Sequence, residues 1–149
     1  MSMTDGTQPM FPALARYYPQ AEQWGYLLLR VTAGAMLIPH GWPKLMAGPA
    51  AVAANTMTRR GVEPALAAAY IAIFLEIIGA ACIILGVLTR PIALLLVIEF
   101  VIIVKLHSAT GWGGAGGAEY PFLWLVVLLY ILARGGGRYS VDNALGKEV

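Results

Sequence analysis

Two apolar runs joined by a short polar turn decide the fold of this chain, PALAAAYIAIFLEIIGAACIILGVLTRPIALLLVIEFVIIVKL at residues 64–106. Each run approaches or exceeds the roughly 20 residues that an α-helix needs to cross the hydrocarbon core of a bilayer. The turn Thr89-Arg90-Pro91 separates them. Because this connection is so short, the two helices are expected to lie antiparallel and side by side.

Two further apolar stretches flank this pair. The first runs from about Trp24 to Leu45 and carries aromatic residues at both ends, where they suit a membrane interface. The other runs from about Tyr120 to Ala133 and is followed by Arg134 and three glycines. The sequence therefore predicts an all-α fold, a membrane-spanning antiparallel four-helix bundle with spans at about 24–45, 64–88, 91–106 and 120–133.

The composition favours the same class of protein. Apolar residues make up 59% of the chain and charged residues 12%, about half the share in soluble domains. The 149 residues leave room for one transmembrane domain at 24–134, a polar N-terminal tail at 1–23 and a polar C-terminal tail at 135–149. The lone Cys82 excludes an internal disulfide, and a net charge of +2 without a basic stripe excludes nucleic acid as a partner.

Basic residues outside the spans indicate an orientation. With four spans both termini lie on one side, which would hold Arg16, Arg90, Arg134, Arg138 and Lys147, whereas the other side would hold Lys44, Arg59, Arg60 and Lys105. The positive-inside rule then places both termini in the cytoplasm, and the expected location is a bacterial inner membrane. The first apolar run contains Arg30 and His40, unlike a cleaved signal, so it is expected to be retained.

Three ionisable residues, Arg30, Glu76 and Glu99, lie within the predicted spans. Such groups are costly in lipid and usually face a bundle interior, a partner or a polar path. Small residues on the face that carries Glu76 predict that this carboxyl points inward, and Arg30 is expected to reach one or both carboxylates. This intramembrane polar network could be a structural ion pair that fixes helix register, or a proton path or ligand site.

A second polar cluster is expected at the opposite end of the bundle, formed by His40, Lys44, Lys105, His107 and Glu119. Two histidines and one glutamate are a poor ligand set for zinc, and no metal site is predicted. The histidines could instead hydrogen-bond a quinone carbonyl with Lys44 nearby, or they could simply hold a loop. Haem is the other candidate for two histidines on separate helices, but none of its further signatures is present, so a quinone is the favoured candidate cofactor.

An ordered set of motifs resembles the DoxX family of small four-helix integral membrane proteins. The set comprises Arg30, His40-Gly41-Trp42-Pro43-Lys44, Glu76 followed by Gly79 and Gly86, Thr89-Arg90, His107, Glu119-Tyr120-Pro121 and Gly135-Gly136-Gly137-Arg138-Tyr139-Ser140-Val141-Asp142. The resemblance covers roughly residues 24–142. Glu99 and Lys105 lie outside this pattern, so they could mark a subgroup with its own partner or ligand.

The resemblance implies a redox role, because members of the family have been linked to a thiosulfate:quinone oxidoreductase and to membrane-associated oxidoreductase complexes. The leading hypothesis is the membrane subunit of a quinone-linked redox system, partnered by another redox protein or by further copies of itself. Since the chain has no flavin motif or nucleophile–base pair, oxidoreductase chemistry would depend on a partner or a quinone. The alternatives are a small transporter of a proton-coupled or lipid-like solute, and a purely structural subunit of a larger membrane complex.

Overall fold

A computed structural model describes residues 10–147 of the protein, and within that range the fold is all-α, without a strand. Residues 1–9 of the predicted N-terminal tail and residues 148–149 of the C-terminal tail lie outside the described residues. The helices are α1 (Pro12–Ala15), α2 (Tyr18–Ala47), α3 (Pro49–Val52), α4 (Ala65–Leu85), α5 (Thr89–Ser108), α6 (Glu119–Arg134) and α7 (Val141–Ala144). Helix α2 packs against α4, and α5 packs against α6.

The helix ends differ from the predicted spans at the start of α2 and at the junction of α4 and α5, where the residues predicted as the turn, Thr89-Arg90-Pro91, form the first turn of α5. Helix α2 begins at Tyr18, well before Trp24, with a proline in its first turn where a missing N–H costs little. It continues through Pro39 and Pro43 to Ala47. Helix α4 ends before the predicted residue 88, because Gly86 adopts the left-handed conformation with φ +71° that commonly terminates helices.

Glycines bring α2 unusually close to α4. A Cβ atom on Gly34 would lie 2.7 Å from the carbonyl oxygen of Ala80, and one on Gly41 would lie 2.7 Å from the Cβ of Glu76. Small residues at such positions let helix backbones approach each other. Glu76 is only 3% exposed at this contact, which confirms the prediction that it points inward.

The long helices carry apolar side chains on their exposed faces as well as in the interior. Phe100 of α5 stacks on Trp124 of α6 in the interior, with 5.7 Å between ring centroids, whereas Phe74, Ile98 and Leu123 are among many large apolar residues left exposed. By length and composition α4 and α5 could each cross a membrane, and only 39% and 28% of their most apolar windows are buried. The core helix of a soluble protein would be mostly buried.

The connection between α2 and α4 is itself helical. Helix α3 continues into a π-helical turn at Ala53–Met57 and a 3-10 turn at Thr58–Arg60. Val52 and Ala53 pack on the first half of α4. Because α2 ends about 9 Å beyond Gly41, this segment covers the part of α4 that α2 does not reach.

The C-terminal segment folds back onto the other end of α2. The ring of Tyr139 stacks on Trp24 at a centroid distance of 4.6 Å. The hydroxyl of Tyr26 donates a hydrogen bond to the carbonyl oxygen of Gly135. The residues predicted as a polar tail therefore form an ordered part of the fold as far as Lys147.

Arg30 joins this segment to the end of α4. Its Nη1 donates to the carbonyl oxygens of Ile83 and Ile84 at 2.5 and 3.1 Å, and its Nη2 donates to that of Tyr139 at 2.7 Å. Carbonyls in the last turn of a helix have no helical partner, and a cation there is also favoured by the helix dipole. Arg30 thus caps α4 and holds the chain after α6 in place.

Asp142 caps the other kind of helix end, the N-terminus of α5. Its carboxylate accepts hydrogen bonds from the N–H groups of Leu88 and Thr89 at 2.8 and 2.9 Å and from the Thr89 hydroxyl at 2.7 Å. These bonds also hold Leu88 in a left-handed conformation, φ +47°, that L residues rarely adopt. Burial alone would raise the pKa of Asp142, but the hydrogen bonds from Thr89 and Leu88 and the charge of Arg30 outweigh it and hold that pKa below its usual range.

Replacing Asp142 with Asn should destabilise the protein by about 1–2 kcal/mol at neutral pH, as expected for loss of a helix cap. Since the folded pKa is depressed, the carboxylate stabilises the fold above the unfolded value of about 3.9, and this contribution is lost as the pH falls through the folded pKa. Thermal unfolding in detergent from pH 7 to pH 3 should show the gap between wild type and Asp142→Asn closing in acid. Glu119→Gln, at an exposed carboxyl, is the control, and a gap that does not change with pH would contradict the assignment.

Replacing Gly41 with Ala should destabilise the fold by about 1–3 kcal/mol, because the added methyl group meets Glu76 where neither helix can give way cheaply. Gly25→Ala is the matched control, since a Cβ there would meet nothing within 4 Å. It should be neutral or stabilising by up to about 1 kcal/mol, because Ala is the better helix former. Equal melting temperatures for the two variants would show that the α2–α4 contact is looser than described.

Candidate functional site

A buried ion pair links α2 to the middle of α4. The Nζ of Lys44 lies 2.5 Å from the Oε1 of Glu76, and the Glu76 side chain is 4% exposed whereas that of Lys44 is 29% exposed. Glu76 lies nine residues before Leu85, which is about 14 Å along the helix. This is close to half the roughly 30 Å thickness of a bilayer core, so the pair lies near the midplane of a membrane that α4 spans.

The backbone around Glu76 is irregular. Residues Leu75–Gly79 form a π-helical turn within α4. Such a turn inserts one residue into the helical repeat and is often found at functional sites. Gly41 is opposite this turn, so the wider turn and the missing side chain together allow Lys44, three residues further along α2, to reach the carboxylate.

Glu99 on α5 completes the site. It lies ten residues after Thr89, about 15 Å along α5, and so at the same depth as Glu76. The charges of Glu76 and Lys44 both act on its carboxyl group. The Oε2 atoms of Glu76 and Glu99 are buried, and neither has a hydrogen-bond partner among the described residues.

The site therefore combines two carboxyl groups with one ammonium group in an apolar interior. An ammonium group has three hydrogen-bond donors, and the ion pair occupies one of those of Lys44. The unpaired carboxyl oxygens can accept hydrogen bonds. The arrangement is suited to bind a small polar group at membrane depth, or to exchange a proton.

The predicted pairing of Arg30 with the two glutamates is wrong. The guanidinium donates to backbone carbonyls at the end of α4, and Gly86 is its close neighbour. Arg30 precedes Lys44 by 14 residues, so about 21 Å of α2 separates them. The prediction counted the depth of Arg30 from Trp24, but the structure places Arg30 level with the last turn of α4, so that the preceding part of α2 extends beyond the end of α4.

The predicted cluster at the opposite end is not linked by polar contacts in the part of the chain that the structure describes. His40 and Lys105 are exposed, the Nδ1 of His107 is 2.8 Å from the Ile103 carbonyl of its own helix, and Glu119 accepts a 3.4 Å bond from Gly114 N–H. Among residues 10–147 no hydrogen bond or ion pair joins any two of the five, and no three His, Cys, Asp or Glu side chains are grouped to hold a metal ion. Of these five residues, Lys44 alone contacts one of the intramembrane glutamates, through its ion pair with Glu76.

Sequence reasoning missed the Lys44–Glu76 pair, although a signal for it was present. Gly41 and Lys44 are three residues apart and so share a helix face. A glycine that must face another helix therefore brings this lysine to the same interface. Asp142 was also missed, because its position in the last motif gave no indication of which groups it would bind.

Comparison with known proteins covers the part of the chain that forms this site. The DoxX family model matches residues 25–108, more than half of the chain. The match runs from the first turns of α2 to the end of α5 and includes Lys44, Glu76 and Glu99.

Two curated relatives extend over nearly the whole chain. An uncharacterized protein of Haemophilus influenzae is 28% identical over 125 residues, covering 80% of this chain and 90% of the relative. An uncharacterized membrane protein of Mycobacterium tuberculosis is 27% identical over 162 aligned positions, covering 99% of this chain and 96% of the relative. No solved structure matches the chain. The protein belongs to the DoxX family of membrane proteins.

Proposed function

We propose that the protein crosses a bacterial inner membrane with α2, α4, α5 and α6 as a four-helix bundle and is the membrane subunit of a quinone-linked redox system. The exposed apolar faces of these helices support the four-span arrangement, and the relatives are bacterial proteins. The balance of basic residues favours cytoplasmic termini. The redox role is the one implied by the family resemblance.

The observation that carries this proposal is the ammonium group of Lys44, which Glu76 holds near mid-membrane depth while the lysine side chain stays partly exposed. Sites for small molecules are mostly apolar, with a few polar groups that orient the ligand. A quinone head group presents two carbonyl oxygens, which need donors where water is absent. Lys44 offers donors that the ion pair leaves free, and the exposed part of its side chain gives access from the bundle surface.

Lys44, Glu76 and a partner protein would each have a separate role in this redox system. Lys44 would orient a carbonyl oxygen and stabilise negative charge at that atom, while Glu76 holds the lysine in position. The electrons would come from a partner oxidoreductase, since no cofactor motif is present in the sequence. This makes the chain a docking and quinone-binding subunit.

A proton-coupled transporter is a second candidate, favoured by one observation. Glu99 places a second carboxyl group at the depth of Glu76, beside a single lysine. Carboxylates at membrane depth often mark proton relays in transporters. A purely structural subunit would need neither the lysine nor the carboxyl groups.

The test is native mass spectrometry of protein gently extracted from its own host membrane, for wild type and Lys44→Met. Wild type should carry a stoichiometric quinone and a co-purifying oxidoreductase. Loss of a charged hydrogen bond costs about 1.5–3 kcal/mol, so Lys44→Met should bind the quinone roughly ten- to a hundredfold more weakly. Lys105→Met, which removes an exposed lysine from α5, is the matched control and should bind as wild type does.

A bare homo-oligomer with bulk phospholipid, or equal quinone binding by Lys44→Met and Lys105→Met, would overturn the quinone site. Solute uptake into proteoliposomes that Glu76→Gln abolishes would favour the transporter. Unchanged function of both Lys44→Met and Glu76→Gln would favour the structural subunit.

A further inference from the structure

We propose that Glu76 and Glu99 together bind one exchangeable proton beside Lys44, so that this cluster of three side chains is electrically neutral within the membrane. The inference does not depend on the nature of the bound molecule. It assigns a proton-binding site to this chain, with Glu76 of α4 and Glu99 of α5 as its two carboxyl groups.

The two carboxyl groups lie at a similar depth and near enough for the charge of Glu76 to act on Glu99. Both lie about 14–15 Å from the turn that joins α4 to α5. Glu76 is 3% exposed and its Oε2 is buried without a partner, and the Oε2 of Glu99 is buried without a partner as well. Two such oxygens at one depth form a site that lacks a donor.

The balance of charges in the cluster identifies the missing hydrogen-bond donor as a protonated carboxyl group. Lys44 can neutralise one carboxylate, and it pairs with Glu76 at 2.5 Å. A second ionised carboxylate without a counter-ion is very costly in an apolar interior. A proton on one of the two carboxyl groups removes that cost and also supplies an O–H donor. Since the two groups interact, the proton belongs to the pair and not to one residue.

The surroundings contain no competing counter-ion among the described residues. The charged groups that act on Glu99 are Glu76 from α4 and Lys44 from α2. Helix α6 packs on α5 through apolar residues such as Trp124 and Leu128. Arg30 is occupied at the end of α4. The side chain of Lys44 is partly exposed, so it marks the edge of the cluster where a proton can enter or leave.

Infrared spectroscopy of the quinone-free protein in liposomes tests the proposal, because a protonated carboxyl group has a carbonyl stretch distinct from that of a carboxylate. Wild type at neutral pH should show the band of one buried protonated carboxyl group. The band should shift on exchange into heavy water, as expected for an exchangeable proton.

A set of substitutions makes the charge counting explicit. Glu99→Gln and Glu76→Gln should each lose the band, since the remaining carboxylate pairs with Lys44. Lys44→Met should roughly double it, because neither carboxyl group then has a cation. Lys44→Met combined with Glu99→Gln should restore the single band. Glu119→Gln, at an exposed carboxyl, should leave it unchanged.

Absence of the band from folded wild type at neutral pH would overturn the proposal, as would its persistence in both single Gln variants. A band that appears only when sodium ions are removed would also overturn it and show that a metal cation takes the place of the proton. The wild-type spectrum at neutral pH, with its shift in heavy water, decides the question even if a variant fails to fold. Because no quinone is present, a failure here is separate from a failure of quinone binding.

Discussion

The close approach of α2 to α4 is the constraint on which the rest of the structure depends. Gly34 and Gly41, two helical turns apart, contribute no side chain of their own where α2 meets α4. That contact places Lys44 against Glu76 at membrane depth and Arg30 against the last turn of α4. Both polar contacts therefore follow from one apolar feature, a face of small residues.

The charged residues divide into two groups with different degrees of satisfaction. At the junction of α4 and α5, Arg30 donates to three carbonyls and Asp142 accepts three hydrogen bonds, so each caps a helix terminus. At mid-depth, two carboxyl oxygens are left without partners. The Nε of Arg30 is also without a partner among the described residues, but the three bonds of its guanidinium fix two segments of the chain. Sparsely bonded polar groups at depth are expensive and are commonly retained for function. The first group holds the fold, and the second forms the candidate site.

The motifs of the family acquire separate physical roles in this arrangement. Gly41 and Lys44 belong to the α2–α4 contact, while Gly86, Thr89 and Asp142 belong to the turn between α4 and α5 and to the segment that covers it. His107 and Glu119 bond only within their own helix or the adjacent loop. Glu99 joins the central cluster from α5, where the charges of Glu76 and Lys44 act on its carboxyl group.

The sequence alone determined the helical class, the long apolar elements and the inward face of Glu76, because hydropathy and the spacing of small residues along one helix are local properties. It could not determine which charges meet. Counted from the predicted helix starts, Arg30 and Glu99 differ in depth by only about 3 Å. In the structure, however, the first part of α2 extends beyond the end of α4, so Arg30 lies level with the last turn of α4 and caps it. Which lysine reaches which glutamate depends on the register of two helices distant in sequence, and only their packing fixes that register.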